Sequence, residues 1–229
     1  YLLLSNLSQV DFCFISATVP KMLVNTQMQT QSISCGGCLT QIYFCILLAN
    51  VDNFLLTAMA YDLFVAICHP LHYSNVMSLQ ICTLMLGSSW LISNFHSQLH
   101  TLLMAWQEFC ASNSFPYFFC DPPPLLQLSC SNIQLNQLMI LLVGGLIILI
   151  PFLGILSPTS TLYLLCSRPY LPGANKRSST CGSYFTVAIL FYGTITEAYM
   201  NPSASHSADK DSLDLVIYTV VTPMLNPVI

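Results

Sequence analysis

Six stretches of the chain are dominated by apolar residues over membrane-crossing lengths: about 1–24, 36–66, 81–104, 137–166, 183–200 and 213–229. A helix needs roughly 20 mainly apolar residues to cross the hydrocarbon core of a bilayer. Helix rather than strand follows from run length and from the need to satisfy backbone groups internally in lipid. The fifth run carries Glu197 and the sixth opens on Asp214, so each is weaker taken alone. Polar segments separate the runs. Residues 25–34 are rich in Gln, Thr and Ser, 69–78 form a short link, and 106–134 a long one. Residues 168–178 hold Pro169, Pro172 and Gly173, and 201–212 hold Pro202 and several serines. None is long enough to fold alone and no internal repeat is apparent, so the expectation is one transmembrane helical domain over 1–229.

Composition sharpens this picture. The chain is 55% hydrophobic and only 6% charged, against roughly 25% charged residues in an ordinary soluble domain. Lipid is therefore a partner for much of the surface. With five Lys and Arg and a net charge of −4, no basic patch exists to hold phosphates, which excludes nucleic acid. Alternation of sides groups 69–78 with 168–178, where Arg168, Lys176 and Arg177 lie, against Lys210 and Lys21 on the other side. That small positive-inside bias places the segment 106–134 outside. Most of the eleven cysteines lie in apolar runs (Cys13, Cys45, Cys82, Cys166) and read as small buried hydrophobes. Cys110, Cys120 and Cys130 sit instead in the polar segment, where an oxidising compartment permits disulfides. The chain opens inside an apolar run at Tyr1, with no cleavable signal peptide, and reads as starting mid-protein.

Two acids lie inside apolar runs, Asp11 in the first and Asp52 in the second. A centred Asp costs about 2.5–3.5 kcal/mol on insertion scales, so each needs a reason. The pair can share a proton or hold a small cation such as Na⁺. The bland alternative is a polar knot that orients helices, with Asn53 or Asn226 as partners. Asp62 sits at a helix end and reaches water. Asn226-Pro227, one turn after Pro223, marks a bend in the last run. An ion path through Asp11 and Asp52 would make the chain a channel or transporter, but paired broken helices and rings of charge are not evident. His96 and His100 are four apart on one helix face, yet no third ligand accompanies them, so they read as polar contacts and no metal site is expected. With no nucleophile–base pair or phosphate-cradling loop, the chain reads as not an enzyme.

The string Met59-Ala60-Tyr61-Asp62-Leu63-Phe64-Val65-Ala66-Ile67-Cys68-His69-Pro70-Leu71-His72-Tyr73 resembles the inner end of the third helix of olfactory receptors. These are a branch of the rhodopsin-like G-protein-coupled receptors. Leu4-Ser5-Asn6-Leu7-Ser8 with Asp11, and Pro20-Lys21-Met22-Leu23, resemble the second helix. Cys38-Leu39-Thr40-Gln41 resembles the start of the third. Phe118-Phe119-Cys120-Asp121 and Leu128-Ser129-Cys130 resemble the second outer loop. Ser179-Thr180-Cys181-Gly182-Ser183 and Phe191-Tyr192-Gly193-Thr194 resemble the sixth helix, and Pro223-Met224-Leu225-Asn226-Pro227 the seventh. The resemblance implies an all-α membrane protein, a seven-transmembrane-helix receptor bundle of which six helices, two to seven, are present. The first helix, the outer amino terminus and everything after Ile229 would lie outside the chain.

It further implies disulfides Cys38–Cys120 and Cys110–Cys130, with Cys35 a rival partner one turn from Cys38. By resemblance, Cys45, Ile46, Ala49 and Asn50 line a ligand pocket from the third helix. Ile195, Thr196 and Tyr199 line it from the sixth, above the deeper aromatic Tyr192. Such a pocket is mostly apolar with a few hydrogen-bonding groups, which suits a small volatile molecule. Asp11, Asp52 and Asn226 fall where a cation site would be, with no other cofactor expected. Asp62, Leu63 and Phe64 would face a heterotrimeric G protein of the olfactory stimulatory type, in a multi-pass protein of the plasma membrane. Glu197 reads as a solvated carboxylate rather than a selector of cationic ligands, and the sequon Asn6-Leu7-Ser8, inside a helix, as unmodified.

The chain departs from this pattern on its inner half. Leu63 and Phe64 stand where the family has Arg and Tyr, and Leu makes no charged or bidentate hydrogen bond. Ser157-Pro158 replaces Ser-Tyr, with Thr159, Ser160 and Thr161 beside it, and a helix-interior Pro costs about 3 kcal/mol unless a kink is wanted. Lys176-Arg177-Ser178-Ser179 is a third departure, and Tyr117 replaces a His proposed to bind metal in the family. These motivate an alternative to odorant reception: a non-signalling, pseudogene-like remnant, retained in the endoplasmic reticulum.

Overall fold

A computed structural model describes residues 2–28, 35–107, 120, 125–126, 129–130, 133–166, 186, 189 and 192–193, with side chains of 21–28 and 157–166 left aside. Helix α1 spans Leu2–Met28, α2 Cys35–Cys68, the single turn α3 Tyr73–Val76, and α4 Leu79–Ala105. Helix α5, Gln134–Met139, continues through a π turn at Ile140–Gly144 into α6, Gly145–Cys166.

Each long helix sorts its residues by face. In α1, Leu3, Leu7, Val10, Asp11, Phe14 and Thr18 are buried while Leu4, Phe12 and Cys13 are exposed, the spacing of one stripe on a 3.6-residue turn. Its polar side chains mostly turn back on their own backbone. Asn6 Nδ2 donates to Leu2 O at 2.9 Å, Ser8 Oγ to Leu4 O at 3.1 Å and Thr18 Oγ1 to Phe14 O at 2.9 Å. Such i−4 bonds let Ser, Thr and Asn sit in an apolar helix without an unpaired donor. Helix α4 begins where Ser78 Oγ accepts from Ile81 N at 3.4 Å, an N-cap that meets one of the free amides of the first turn.

Helix α2 is the hub. Helices α1, α4 and α6 all pack against it, α4 most extensively. One core joins Leu47, Val51, Leu55 and Leu56 of α2 to Leu7 and Phe14 of α1. A second, smaller core joins Cys38 and Ile42 to Met104, Cys120, Leu125 and Leu126. The face of α4 turned inward is polar or small: Ser89, Ser93, His96, Ser97 and His100 are buried, with Met104. Its outward face carries Leu84, Leu91, Phe95 and Leu102, all exposed. Ser89, Ser93 and Ser97 repeat every four residues, the small-residue ridge that lets two membrane helices approach closely. Leu141, Leu146, Ile150 and Leu153 are likewise exposed along the last helix. An apolar exterior over a polar contact stripe is the arrangement lipid demands, the reverse of a surface helix in water.

The expectation of a receptor bundle with six of seven spanning helices is corrected. Among the described residues there are five helical segments, counting α5 to α6 as one, of which three qualify as membrane spans: Leu2–Pro20, Cys35–Cys68 and Gln134–Leu156. Helix α4 has the length, 27 residues, but its inward serines and histidines and its exposed glutamines dilute its hydropathy. The runs expected at 183–200 and 213–229 fall outside the described residues except for Thr186, Ile189, Tyr192 and Gly193.

Gly154 of α6 lies close against α2, where an added Cβ would be 3.1 Å from Thr57 Cγ2. Thr57 is not free to rotate away, because its Oγ1 donates to Asn53 O at 3.0 Å and lies 3.4 Å from Pro151 O. Ala in place of Gly gains about 1 kcal/mol of helix propensity, and the contact with Thr57 opposes that gain. We therefore expect Gly154→Ala to be more favourable in a Thr57→Ser background, which keeps the hydroxyl and removes Cγ2. The coupling should be about 1 kcal/mol, read from thermal unfolding of the purified chain in lipid nanodiscs. Additive effects would show that the contact is slack.

Candidate functional site

The middle of α2 places Asn50, Asp52, Asn53 and Thr57 within two turns, all at least half-buried. Asn53 ties three segments together. The Tyr192 hydroxyl donates to its Oδ1, its Nδ2 donates to Ile147 O of α6 at 2.8 Å, and its own carbonyl accepts from Thr57. The Tyr192 ring packs on Phe152 of α6 with centroids 4.8 Å apart. A change in the position of Tyr192 is thus felt at the backbone of α6 through one amide.

Asp52 and Asp11 are both buried, at 3% and 4% exposure, and are close enough to interact electrostatically. Oδ1 of Asp52 has no hydrogen-bond partner among the described residues. The third expected member, Asn226, lies outside them. No group of three or more His, Cys, Asp or Glu side chains converges as a metal site would among the described residues.

Of the pocket residues expected on α2, Cys45 and Ala49 are half-buried beside the larger core and Ile46 beside the smaller one. Asn50 is turned toward α4, where its Nδ2 meets His96 Nδ1 at 2.8 Å. Tyr192 is buried in the larger core. Ile195, Thr196 and Tyr199 lie outside the described residues.

The outer end of α2 is anchored by a disulfide, Cys38–Cys120, with Cα atoms 5.5 Å apart and a sequence separation of 82. Cys35 is an exposed thiol and not part of it. A loop of that length is worth about 4–5 kcal/mol in the chain-entropy account of disulfides. Cys130 is also disulfide-bonded; Cys110, its expected partner, lies outside the described residues.

At the other end of α2, the Tyr73 hydroxyl donates to Asp62 Oδ1 at 2.8 Å. Leu63 and Phe64 are half-buried against the larger core, and Phe64 meets the His69 ring edge-on at 6.0 Å. The carboxylate of Asp62 is therefore engaged by the link that follows α2, with Leu63 making an apolar contact.

Sequence comparison identifies the family. An olfactory receptor profile matches residues 1–229. The chain is 53% identical to olfactory receptor 1F1 of Homo sapiens over all of its own length and 74% of that protein's. Olfactory receptor 1f45 of Rattus norvegicus gives the same 53% and 74%. Olfactory receptor 1E1 of Pan troglodytes is 50% identical, again over the whole chain and 73% of the relative. The chain belongs to the olfactory receptor family. It is accordingly a multi-pass receptor of the plasma membrane that senses odorants, and not an enzyme. Its partners are of two general kinds, a small-molecule ligand and a G protein. Two features of this receptor escaped sequence reasoning: the three-way junction at Asn53, and the serines that extend the His96–His100 face of α4 into an inward polar stripe. The stripe had a signal, since Ser89, Ser93, His96, Ser97 and His100 fall on one face of an otherwise apolar run. The junction had none, because nothing in the sequence pairs position 53 with 147 or 192.

The Asp62–Tyr73 bond has a pH signature. The hydrogen bond to Asp62, then partial burial and the Asp62 charge, push the exposed Tyr73 phenol up to about 12. A raised folded-state value means that the bond's contribution is complete below the unfolded tyrosine value of about 10. It is lost as pH rises through about 12. Asp62→Asn should bring the Tyr73 ionisation midpoint down toward 10, followed by the ζ-carbon resonance of labelled tyrosine. An unchanged midpoint would mean that the bond does not form in solution.

Proposed function

We propose that this receptor detects small, mainly apolar volatile molecules and passes the signal to a heterotrimeric G protein of the olfactory stimulatory type. The observation that carries the reading is the family match along the whole of residues 1–229. The geometry supports it with a path from pocket to α6: Tyr192 hydrogen-bonds Asn53, and Asn53 bonds the α6 backbone. On this reading Cys45, Ile46, Ala49 and Asn50 contribute one wall of the ligand pocket, and Ile195, Thr196 and Tyr199 another. Ligand contact displaces Tyr192, and the bistable element it biases is the packing of α6 on α2.

Asp11 and Asp52, with Asn226, are assigned to a Na⁺ ion or a shared proton. Two buried carboxylates in electrostatic contact repel each other, and a cation or a shared proton relieves that repulsion. Asp62, Leu63 and Phe64 form part of the face presented to the G protein, with Asp62 steadied by Tyr73 rather than by an arginine. Cys110 is assigned to Cys130 as the second disulfide.

Cells expressing the chain with the olfactory stimulatory α subunit and a cyclic-AMP reporter test this reading. A concentration-dependent rise with at least one volatile is expected. Asn53→Leu should weaken it by about tenfold or more, since it removes both the Oδ1 that accepts from Tyr192 and the Nδ2 that donates to Ile147 O. Surface-expressed chain that answers no volatile, yet gains a response on Leu63→Arg, would instead mark a receptor that no longer signals.

A further inference from the structure

The first turn of α2 reads Cys35-Gly36-Gly37-Cys38. Cys35, Gly36 and Gly37 are exposed, Cys35 as a free thiol, while Cys38 is buried and bridged to Cys120. Both bridged cysteines lie in the smaller core with Ile42, Met104, Leu125 and Leu126, at 7% and 2% exposure. A thiol arriving from solution reaches that bridge poorly, because thiol–disulfide exchange needs access to a sulfur. Cys35 stands one turn away. Residues three apart on a helix have Cα atoms about 5 Å apart, inside the range of about 4.4–6.8 Å that a disulfide spans.

The turn itself favours exchange among these three sulfurs. Gly36 and Gly37 carry no side chain, and a Cβ built on Gly36 meets nothing within 4 Å. The backbone thus has the room and the freedom to bring Cys35 Sγ in line behind Cys38 Sγ. Attack spreads negative charge over three sulfurs, and the first turn of a helix offers unpaired N–H groups to such a charge. No acidic side chain lies in that turn to oppose it. Two cysteines separated by two residues are also the spacing at which thiols and disulfides interconvert in redox motifs.

We infer that Cys35 and the Cys38–Cys120 bridge form a thiol–disulfide exchange centre at the outer end of α2. Cys35, as thiolate, attacks Cys38 Sγ. A Cys35–Cys38 bond forms, the Cys38–Cys120 bond breaks, and the Cys120 sulfur leaves with the electron pair and takes up a proton. One thiol and one disulfide enter and one of each remains, so the step consumes no oxidant or reductant. The disulfide has moved from the buried core to the exposed turn. There two molecules of a small thiol of the glutathione type reduce it to two cysteine thiols and leave as one disulfide. The tether between α2 and Cys120 is then released. Cys35 is thus the entry point through which small thiols reach a buried structural bridge, a redox control on the helix against which α1, α4 and α6 pack. The exchange stands independently of the odorant-reception reading.

The test adds reduced glutathione to the purified chain in lipid nanodiscs. Samples taken over time are quenched with acid, free thiols are capped with a maleimide, and disulfide-linked peptides are mapped by mass spectrometry. A species with Cys35 joined to Cys38 and a maleimide on Cys120 should rise and then fall as glutathione reduces it. Cys35→Ser, a change at an exposed position, should abolish that species and slow the opening of the Cys38–Cys120 bridge by about tenfold or more, because a neighbouring thiol acts at a high effective concentration. Cys13→Ser, which removes another exposed thiol, should leave the rate unchanged. Equal opening rates with and without Cys35, no Cys35–Cys38 species at any time, or Cys35 recovered joined to Cys120 would each overturn the proposal. No odorant enters the measurement, so its outcome leaves the signalling reading to the cyclic-AMP assay.

Discussion

A polar side chain on a lipid-immersed helix must find its partner within the protein, and α2 is where that constraint is most concentrated. Its central turns carry Asn50, Asp52, Asn53 and Thr57 between apolar neighbours. None can be turned to the bilayer cheaply, since an unpaired amide or carboxylate there costs several kcal/mol. The two asparagines are met by different neighbours, while Asp52 faces a second acid. Asn50 is met by His96 of α4, Asp52 lies in the field of Asp11 of α1, and Asn53 is met by the backbone of α6. The polar residues of one helix therefore prescribe which helices surround it and at what rotation. Apolar packing alone would not, because lipid tails compete on equal terms with leucine for a leucine surface.

The same constraint explains what was legible in the sequence. Run length and charge depletion are properties of each helix by itself, so the apolar runs stand out. The family resemblance fixed their order and the Cys38–Cys120 bridge that the structure contains. Partner choice is a property of pairs. Position 50 read as pocket-lining; its amide also meets His96 of α4, a contact that only the three-dimensional rotation of α2 reveals. Helix α4 was misjudged for a related reason. Counting it among membrane spans weighed its many leucines and overlooked the stripe of serines and histidines on one face, which keeps it from the hydropathy of α1, α2 and the last helix. A stripe that is costly in lipid is tolerable when buried against another helix, so mean hydropathy and burial point in opposite directions for the same residues.

The inner end of α2 shows how a carboxylate is held without a cation beside it in the chain. The next residue is Leu63, which offers Asp62 no charge, and the carboxylate takes a hydroxyl from Tyr73. A neutral donor holds an anion less firmly than a guanidinium, which supplies charge and a bidentate fork. The link after α2 is thereby steadied without an ion pair. Leu63 packs against the larger core, so this position contributes an apolar restraint.

These contacts lie along one continuous helix of 34 residues, about 50 Å at 1.5 Å per residue. Its outer end is fixed covalently to the loop at Cys120, its middle is bonded to α4 and α6, and its inner end meets Tyr73. A helix held at so many points is a poor candidate for the moving part. Motion is easier where few bonds oppose it, and α6 is joined to α2 polar-to-polar mainly through Asn53 and Thr57. The π turn at Ile140–Gly144, with Gly145 following it, adds a place where the last helix departs from regular hydrogen bonding. On the function proposed above, α2 is the fixed axis and α6 shifts against it. Asn53 is then the side chain through which a displaced Tyr192 alters that packing, a role that follows from its position between the two and not from any charge of its own.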